Sequence, residues 1–208
     1  MTTLFDRLSD ARIAQIDTWI FDLDNTLYYG DPTFFTQIDV KITDYVSQYL
    51  GLDRGAARKV QKDYLIDHGT TLSGLMAHHD MSPEHFMDYV HDVDLSMLAR
   101  NTLLRERIAA LPGRKFIYTN GSKNHASNVA GHLNLIDLFD ASFGVEDSGY
   151  IPKPRAQTYD IFNAKFNVDP ARAIFFEDNV RNLEVPHDLG MATLLVKSNA
   201  DFSHEPEE

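Results

Sequence analysis

Two aspartates stand two positions apart in the stretch "IFDLDNT", directly after an apolar run. Residues two apart in an extended chain point to the same side, so the carboxylates of Asp22 and Asp24 face one small volume. Carboxylates this close both stay ionised only with help, so one binds a proton or a cation joins them. Held ionised by a divalent cation, Asp22 is predicted to attack phosphorus. Asp24 is predicted to give a proton to the leaving alkoxide and later to take one from water.

A second candidate group lies in the stretch "YTNGS". It offers the hydroxyl of Thr119 and the backbone amides of Asn120 and Gly121 at the start of a predicted helix, where phosphate oxygens bind well. The same letters also make a good turn, so the phosphate-binding interpretation depends on the other groups.

A lysine and a further acidic pair complete the set. Lys153 stands between two prolines that restrict its backbone, and its ammonium is predicted to neutralise Asp22 and the phosphate; the alternative is an exposed lysine in a turn. In "FFEDN", Asp178 is predicted to be the second metal ligand, although it could instead cap a helix. Glu177 and Asn182 are predicted to hold the lysine or a metal-bound water.

The candidate residues follow short apolar runs that are predicted to be strands. These runs cover residues 18–23, 115–119, 172–177 and 192–196, and helix-like stretches at 122–134, 155–166 and 179–189 alternate with them. The alternation predicts an α/β fold, a Rossmann-like parallel sheet with helices on both faces. Active residues in such folds lie at the carboxyl ends of the strands.

The region between the first two predicted strands has a different pattern. It shows helical periods and no convincing strand: one helix ends before Gly51, a second covers 54–66, and a third begins at Ser82 as N-cap. We therefore expect an all-helical insertion, with core residues 1–30, a helical cap at 31–102 and the rest of the core at 103–208.

Composition excludes several classes of partner. The chain has 208 residues, 31 acidic against 19 basic side chains, and a net charge of −12, which disfavours nucleic acid polymers and anionic membranes. There is no cysteine, no signal-peptide pattern and no apolar run of the roughly 20 residues that span a bilayer. A cytoplasmic location is expected, and the oligomeric state stays open.

In this order, "DLDNT", "YTNGS", the lysine of "PKP" and "FFEDN" resemble the four motifs of the haloacid dehalogenase-like (HAD) phosphohydrolase superfamily. The resemblance implies Mg²⁺ as cofactor and an aspartyl-phosphate on Asp22, with Asp24 as acid and base. It implies metal ligation by Asp22, Asp178 and the main-chain carbonyl of Asp24, phosphate binding by Thr119 and the amides after it, and charge stabilisation by Lys153. The sequence departs from the family pattern at Asn25, Glu177 and Asn182.

A narrower resemblance concerns the substrate. "DLDNTLYYG" followed by "HGTTLSGL" at residues 68–75 looks most like the pyrimidine 5'-nucleotidase branch, which implies a small phosphorylated metabolite such as UMP or CMP. Tyr28 is then a candidate for stacking on the base, or else it packs the hinge. A phosphatase for another small metabolite, such as phosphoglycolate or a sugar phosphate, is the alternative.

Four other interpretations of the sequence have less support. A phospho-receiver domain is disfavoured by Asp24 and by the helical insertion, and dehalogenation needs neither Asp24 nor Asp178. A calcium loop starting at Asp22 would place Leu27 where glycine is required. A histidine/aspartate metal site is suggested only by neighbouring pairs: His79 with Asp80, His91 with Asp92, and His187 with Asp188.

Overall fold

The computed structural model describes residues 8–29 and 32–197. Its centre is a five-stranded sheet in the order β3-β2-β1-β4-β5, and all four strand pairings are parallel. The strands are β1 (Thr18–Phe21), β2 (Arg114–Tyr118), β3 (Ala141–Phe143), β4 (Ala173–Glu177) and β5 (Ala192–Leu195).

The predicted α/β fold is confirmed, with one strand missed. Each of the four predicted strands is present within two residues of its expected ends. The missed strand, β3, has only three residues at the edge of the sheet, and only Phe143 among them is buried. A run this short carries no periodicity that a sequence pattern could show.

The described part of the chain contains nine α-helices. They are α1 (Asp10–Ile13), α2 (Pro32–Leu50), α3 (Arg54–His68), α4 (Thr71–His78), α5 (Pro83–Val90), α6 (Thr102–Ala109), α7 (Lys123–His132), α8 (Ala156–Phe166) and α9 (Arg181–Asp188). Between β1 and β2, residues 32–113 contain helices and no strand, as the periodicity predicts.

The sheet is covered on both faces because its side chains alternate. Trp19 and Phe21 of β1 pack on one face with Val129 of α7, whereas Ile20 packs on the other with Phe162 of α8. The helices of the insertion have a third apolar cluster, which includes Val46, Leu75 and Phe86. The cap boundaries stay a prediction; residues 30 and 31, like the acidic C-terminal tail, lie outside the described residues.

The segment at residues 68–75 forms a tight helix–helix junction, and the sequence did not predict its helix α4. Gly69 ends α3 with a φ of 82°, and the hydroxyl of Thr70 accepts a hydrogen bond from the Ser73 backbone amide at 3.0 Å. A Cβ on Gly74 would lie 2.3 Å from Cγ of Tyr64, so only glycine lets the two helices approach this closely. The packing of α3 against α4 therefore explains the sequence of this segment.

One predicted cap differs in detail. Ser82 occupies the N-cap position of α5, but its side chain accepts no hydrogen bond from the helix backbone. Its hydroxyl instead donates to the Glu84 carboxylate at 2.7 Å. The carboxylate in the first turn competes for the hydroxyl, because an ionised acceptor binds it more strongly.

Candidate active site

The predicted site residues converge at the carboxyl ends of β1, β2 and β4. Asp22 follows β1, Thr119 follows β2, and Asp178 follows β4 directly. The backbone amide of Asp22 donates to the Phe176 carbonyl at 2.9 Å, which carries the strand pairing up to the first aspartate. The sheet therefore fixes the backbone from which the Asp22 carboxylate projects.

Lys153 enters this site as a buried cation and is only 3% exposed, so the exposed-lysine alternative is wrong. Its ammonium donates to Asp22 Oδ1 at 2.8 Å, to the Tyr118 carbonyl at 3.0 Å and to Glu177 Oε1 at 3.4 Å. Burial opposes this charge, but the carboxylates of Asp22 and Glu177 outweigh it, and the pKa of Lys153 is raised above its usual value. The lysine stays charged at any physiological pH.

The phosphate-binding candidates Thr119, Asn120 and Gly121 make different contacts. The Asn120 side chain accepts from the Lys153 amide at 2.7 Å and donates to the Lys153 carbonyl at 3.2 Å, so it holds the lysine loop. The hydroxyl oxygen of Thr119 accepts from the Gly121 amide at 2.9 Å. In this structure, the Gly121 amide therefore binds the threonine rather than pointing freely at a ligand.

A carboxylate cluster lies beside the lysine. Oxygens of Asp22, Glu177 and Asp178 all lie within 4.8 Å of one another. Burial and the Asp22 charge raise the pKa of Glu177 to about 8 and that of Asp178 to about 6. Burial also raises the pKa of Asp22, and Lys153 only partly opposes it. The ammonium of Lys153 therefore does not balance the negative charge that these carboxylates would carry.

The cluster fits Mg²⁺, which prefers carboxylate oxygens. The buried side-chain oxygen of Asn25, in the turn after Asp24, also has no hydrogen-bond partner among the described residues. Asn25 adopts a φ of 61°, a left-handed conformation that asparagine tolerates. The carboxylate of Asp24 is not part of the cluster.

Asp24 is instead held by two donors. Its Oδ1 accepts a hydrogen bond from the Tyr28 hydroxyl and lies 3.2 Å from Nε2 of His125. Burial would raise the pKa of Asp24, but His125 and the Tyr28 hydroxyl outweigh it and lower the pKa to about 2. In the ligand-free protein Asp24 is therefore a carboxylate, the form that accepts a proton.

Tyr28 is 7% exposed, and its ring packs edge-on against Phe34 and parallel to Phe35. Its hydroxyl is occupied by Asp24. This favours the packing alternative over stacking on a substrate base. Tyr28 therefore supports the Asp24 carboxylate through this hydrogen bond.

Sequence reasoning missed His125 and considered His91 only as half of an "HD" pair. His125 lies in the first turn of α7, where its backbone amide donates to the predicted N-cap Ser122 at 3.1 Å. The sequence signal that could have indicated His125 is its position, three residues after a predicted helix N-cap and close to the polar end of a predicted strand. Among the described residues, the three neighbouring His/Asp pairs belong to no converging group of three or more metal ligands.

Asn182 and Glu177 form the support predicted for the lysine. The side-chain amide of Asn182 donates to Glu177 Oε1, the same oxygen that Lys153 contacts. The backbone amide of Asp178 donates to Glu177 Oε2 at 3.1 Å. Asn182 lies on α9 and Glu177 ends β4. Both oxygens of Glu177 thus have protein donors, which fixes the orientation of this carboxyl group beside Lys153.

This fold and this set of residues match a known family. The model of the haloacid dehalogenase-like hydrolase family matches residues 16–190, and the chain belongs to that family. The match includes all four sequence motifs and the helical insertion.

Individual relatives are distant. The chain is 24% identical to phosphate metabolism protein 8 of Saccharomyces cerevisiae over 91% of its length, and it spans 64% of that protein. A HAD phosphatase from Thermococcus onnurineus has a TM-score of 0.60 at 18% identity, covering 91% of this chain and 90% of its own.

Two further solved structures share the fold. A HAD family enzyme from Bacteroides thetaiotaomicron, in complex with magnesium and inorganic phosphate, has a TM-score of 0.55 at 18% identity, with 91% and 98% of the two chains covered. L-2-haloacid dehalogenase from Xanthobacter autotrophicus has a TM-score of 0.52 at 17% identity, with 86% and 76% covered. These similarities concern the fold, because different chemistries occur on it. No helix in the described ranges is long and apolar enough to cross a membrane.

Proposed function

We propose that this protein is a Mg²⁺-dependent phosphomonoester hydrolase that acts through an aspartyl-phosphate on Asp22. The observation that carries the proposal is the pairing of Asp22 with Lys153 at 2.8 Å inside a cluster that has two further carboxylates. A nucleophilic carboxylate must approach an anionic phosphate, and fixed positive charge at that point lowers the barrier.

The chain's own residues divide the work. Asp22 attacks phosphorus, Lys153 and the Thr119 hydroxyl stabilise the charge on the phosphoryl oxygens, and Asp24 handles the proton. Mg²⁺, held by Asp22, Asp178 and the main-chain carbonyl of Asp24, would screen the charge of the incoming phosphate. Asn120 keeps the lysine loop in place through both backbone groups of Lys153.

Asp24 has two tasks, and its ionised state suits the second. As a carboxylate it accepts a proton from the water that hydrolyses the aspartyl-phosphate. To act first as the acid it must be protonated, and an anionic phosphate bound beside it raises its pKa in that direction. The substrate itself thereby prepares Asp24 for the first step.

Two rival activities have less support. A phospho-receiver needs no base beside the nucleophile, whereas Asp24 is held in place by two donors here. A dehalogenase needs no cation, whereas Asp22, Glu177 and Asp178 gather more negative charge than Lys153 offsets. Both contrasts favour phosphate ester hydrolysis.

The substrate belongs to the proposal as well. We infer a pyrimidine nucleoside 5'-monophosphate, UMP or CMP, from the resemblance of residues 22–30 and 68–75 to that branch of the family. Residues 31–102 act as the cap that selects the leaving group and excludes water. A cytoplasmic location is part of the same proposal and is supported by the absence of cysteine.

The test is a phosphate-release screen with purified protein. UMP, CMP, AMP, phosphoglycolate and a hexose phosphate are compared by kcat/KM, each with Mg²⁺ and with EDTA, and Asp22→Asn is the blank. We expect Mg²⁺-dependent release that is highest with UMP or CMP and absent in Asp22→Asn. Release without Mg²⁺, or by Asp22→Asn, would overturn the mechanism; a clear preference for another ester would overturn only the substrate.

A further inference from the structure

The two hydrogen bonds that described residues make to Asp24 are at one oxygen. The Tyr28 hydroxyl and Nε2 of His125 both lie at Oδ1, and the Asp24 side chain keeps 29% of its exposure. Two donors at the same oxygen fix the rotation of the carboxylate. The other oxygen, Oδ2, is then the one that can exchange a proton with substrate or water. A partly exposed carboxylate without these donors would sample several rotamers.

His125 is itself held firmly. It is 1% exposed and lies in the first turn of α7, where its backbone amide is bound to the Ser122 hydroxyl. The ring of His91, which follows α5, stacks on the His125 ring with centroids 4.2 Å apart and planes 18° apart. Nδ1 of His91 lies 3.3 Å from the same Ser122 hydroxyl. The helical insertion thus contacts the core at the residue that contacts Asp24.

Both rings also lie close to Gly121. A Cβ added to Gly121 would lie 3.3 Å from Cδ2 of His125 and 3.7 Å from Cε1 of His91. Burial, and His125 beside it, lower the pKa of His91 to about 3, so the stacked ring is neutral. A neutral ring can stay against His125 whatever the charge of His125 itself.

We propose that His125 is a positioning residue for Asp24, and that His91 holds the His125 ring in place from the helical insertion. The inference rests on the proposed phosphatase function. Asp24 matters in the first step only when the leaving group needs a proton. Loss of its positioning should therefore depend on the leaving group, whereas a general loss of packing should not.

The experiment compares two esters. One is p-nitrophenyl phosphate, whose phenolate leaves without a proton, and the other is UMP or the alkyl phosphate that the wild-type protein hydrolyses best in the screen above. For a reaction through an aspartyl-phosphate, kcat/KM reports only the steps up to formation of that intermediate. The variants are His125→Ala, His125→Gln, which keeps an N–H donor, and His91→Ala, with Asn128→Ala on the exposed side of α7 as the control.

We expect His125→Ala to lower kcat/KM for the alkyl phosphate about 10- to 100-fold, a part of the total effect of general acid catalysis, and for p-nitrophenyl phosphate less than about 3-fold. kcat should fall on both esters, because hydrolysis of the intermediate also uses Asp24. His125→Gln should recover most of the alkyl activity, His91→Ala should show a smaller loss with the same selectivity, and Asn128→Ala should match the wild type.

Each contrary result has a distinct meaning. Equal losses of kcat/KM on both esters in folded His125→Ala and His91→Ala, with no recovery in His125→Gln, would overturn the positioning role while the phosphatase function stands. If His125→Ala does not fold, His125→Gln and His91→Ala decide by the same selectivity. No hydrolysis of any ester by the wild-type protein would overturn the proposed function, and this inference with it.

Discussion

Lys153 and Asp22 form one ion pair, yet their removal should affect stability in different ways. Lys153→Met deletes the buried cation and leaves Asp22 and Glu177 facing each other, whereas Asp22→Asn leaves the lysine bound to Glu177 and to the Tyr118 carbonyl. Breaking a buried pair in the first way costs about 3 to 5 kcal/mol. For a chain of this size that lowers Tm by roughly 6 to 20 °C. Asp22→Asn removes one of three crowded carboxylates and should cost little or stabilise the metal-free protein.

The pH dependence has a definite sign. A carboxyl whose pKa is higher in the folded protein binds its proton more tightly there, so stability falls as pH rises from the unfolded to the folded value. Glu177 has a pKa of about 8 even with the lysine present, against about 4 when unfolded, so the window is about pH 4 to 8. The deficit of Lys153→Met should therefore be smaller at the acid end of this window than at pH 8.

The chain contains an intrinsic fluorescence probe of unfolding. Trp19, the single tryptophan, is buried in β1 three residues before Asp22, and its fluorescence should report urea unfolding. Measurements are made in EDTA, with Lys59→Met as the matched control, because the Lys59 side chain is 76% exposed and its ion pair with Asp63 is screened by solvent. Equal destabilisation by Lys153→Met and Asp22→Asn, or a deficit that grows as pH falls, would refute the charge argument.

Three further predictions concern other parts of the molecule. Mg²⁺ should raise the Tm of the wild-type protein, because a ligand at 100 times its Kd adds about 2.7 kcal/mol to the free energy of unfolding. Asp178→Asn should need more Mg²⁺ for the same shift in a thermal-shift titration. Tyr28→Ala removes both the ring and one donor to Asp24, so the ratio of kcat/KM between UMP and other alkyl phosphates should stay unchanged; a selective loss on UMP would instead support the base-stacking role. Gly74→Ala should cost about 1 to 3 kcal/mol in urea unfolding, because the new Cβ meets the ring of Tyr64; a change near zero would show that α3 and α4 separate easily.

Much of the site was predictable because it follows strands. Asp22, Thr119 and Asp178 each stand where an apolar run ends, and a parallel sheet brings such ends to one edge. Lys153 lies on a loop, and no local pattern specified its burial. Its place among Asp22, Glu177 and the Tyr118 carbonyl becomes visible only when three separate segments are assembled.

The environment of Asp24 was beyond sequence reasoning for a related reason. Its contact with His125 joins residues 101 positions apart, and His91 reaches the same point from a different helix. Tyr28 was predicted either to stack on a base or to pack the hinge, and its hydroxyl points inward to Asp24 because burying an aromatic ring with a polar group requires a partner. Sequence patterns specify which face an element buries, and they do not specify which polar atoms meet there.

The path of the chain after Asp24 has a consequence for timing. Tyr28 binds Asp24 through its hydroxyl and packs its ring against Phe34 and Phe35, the first aromatic residues of α2. In the proposed mechanism, a movement of α2 that admitted substrate would therefore also displace the Tyr28 donor that holds Asp24. Hydrolysis of the proposed aspartyl-phosphate would then be fastest only when α2 is back in the position seen in this structure.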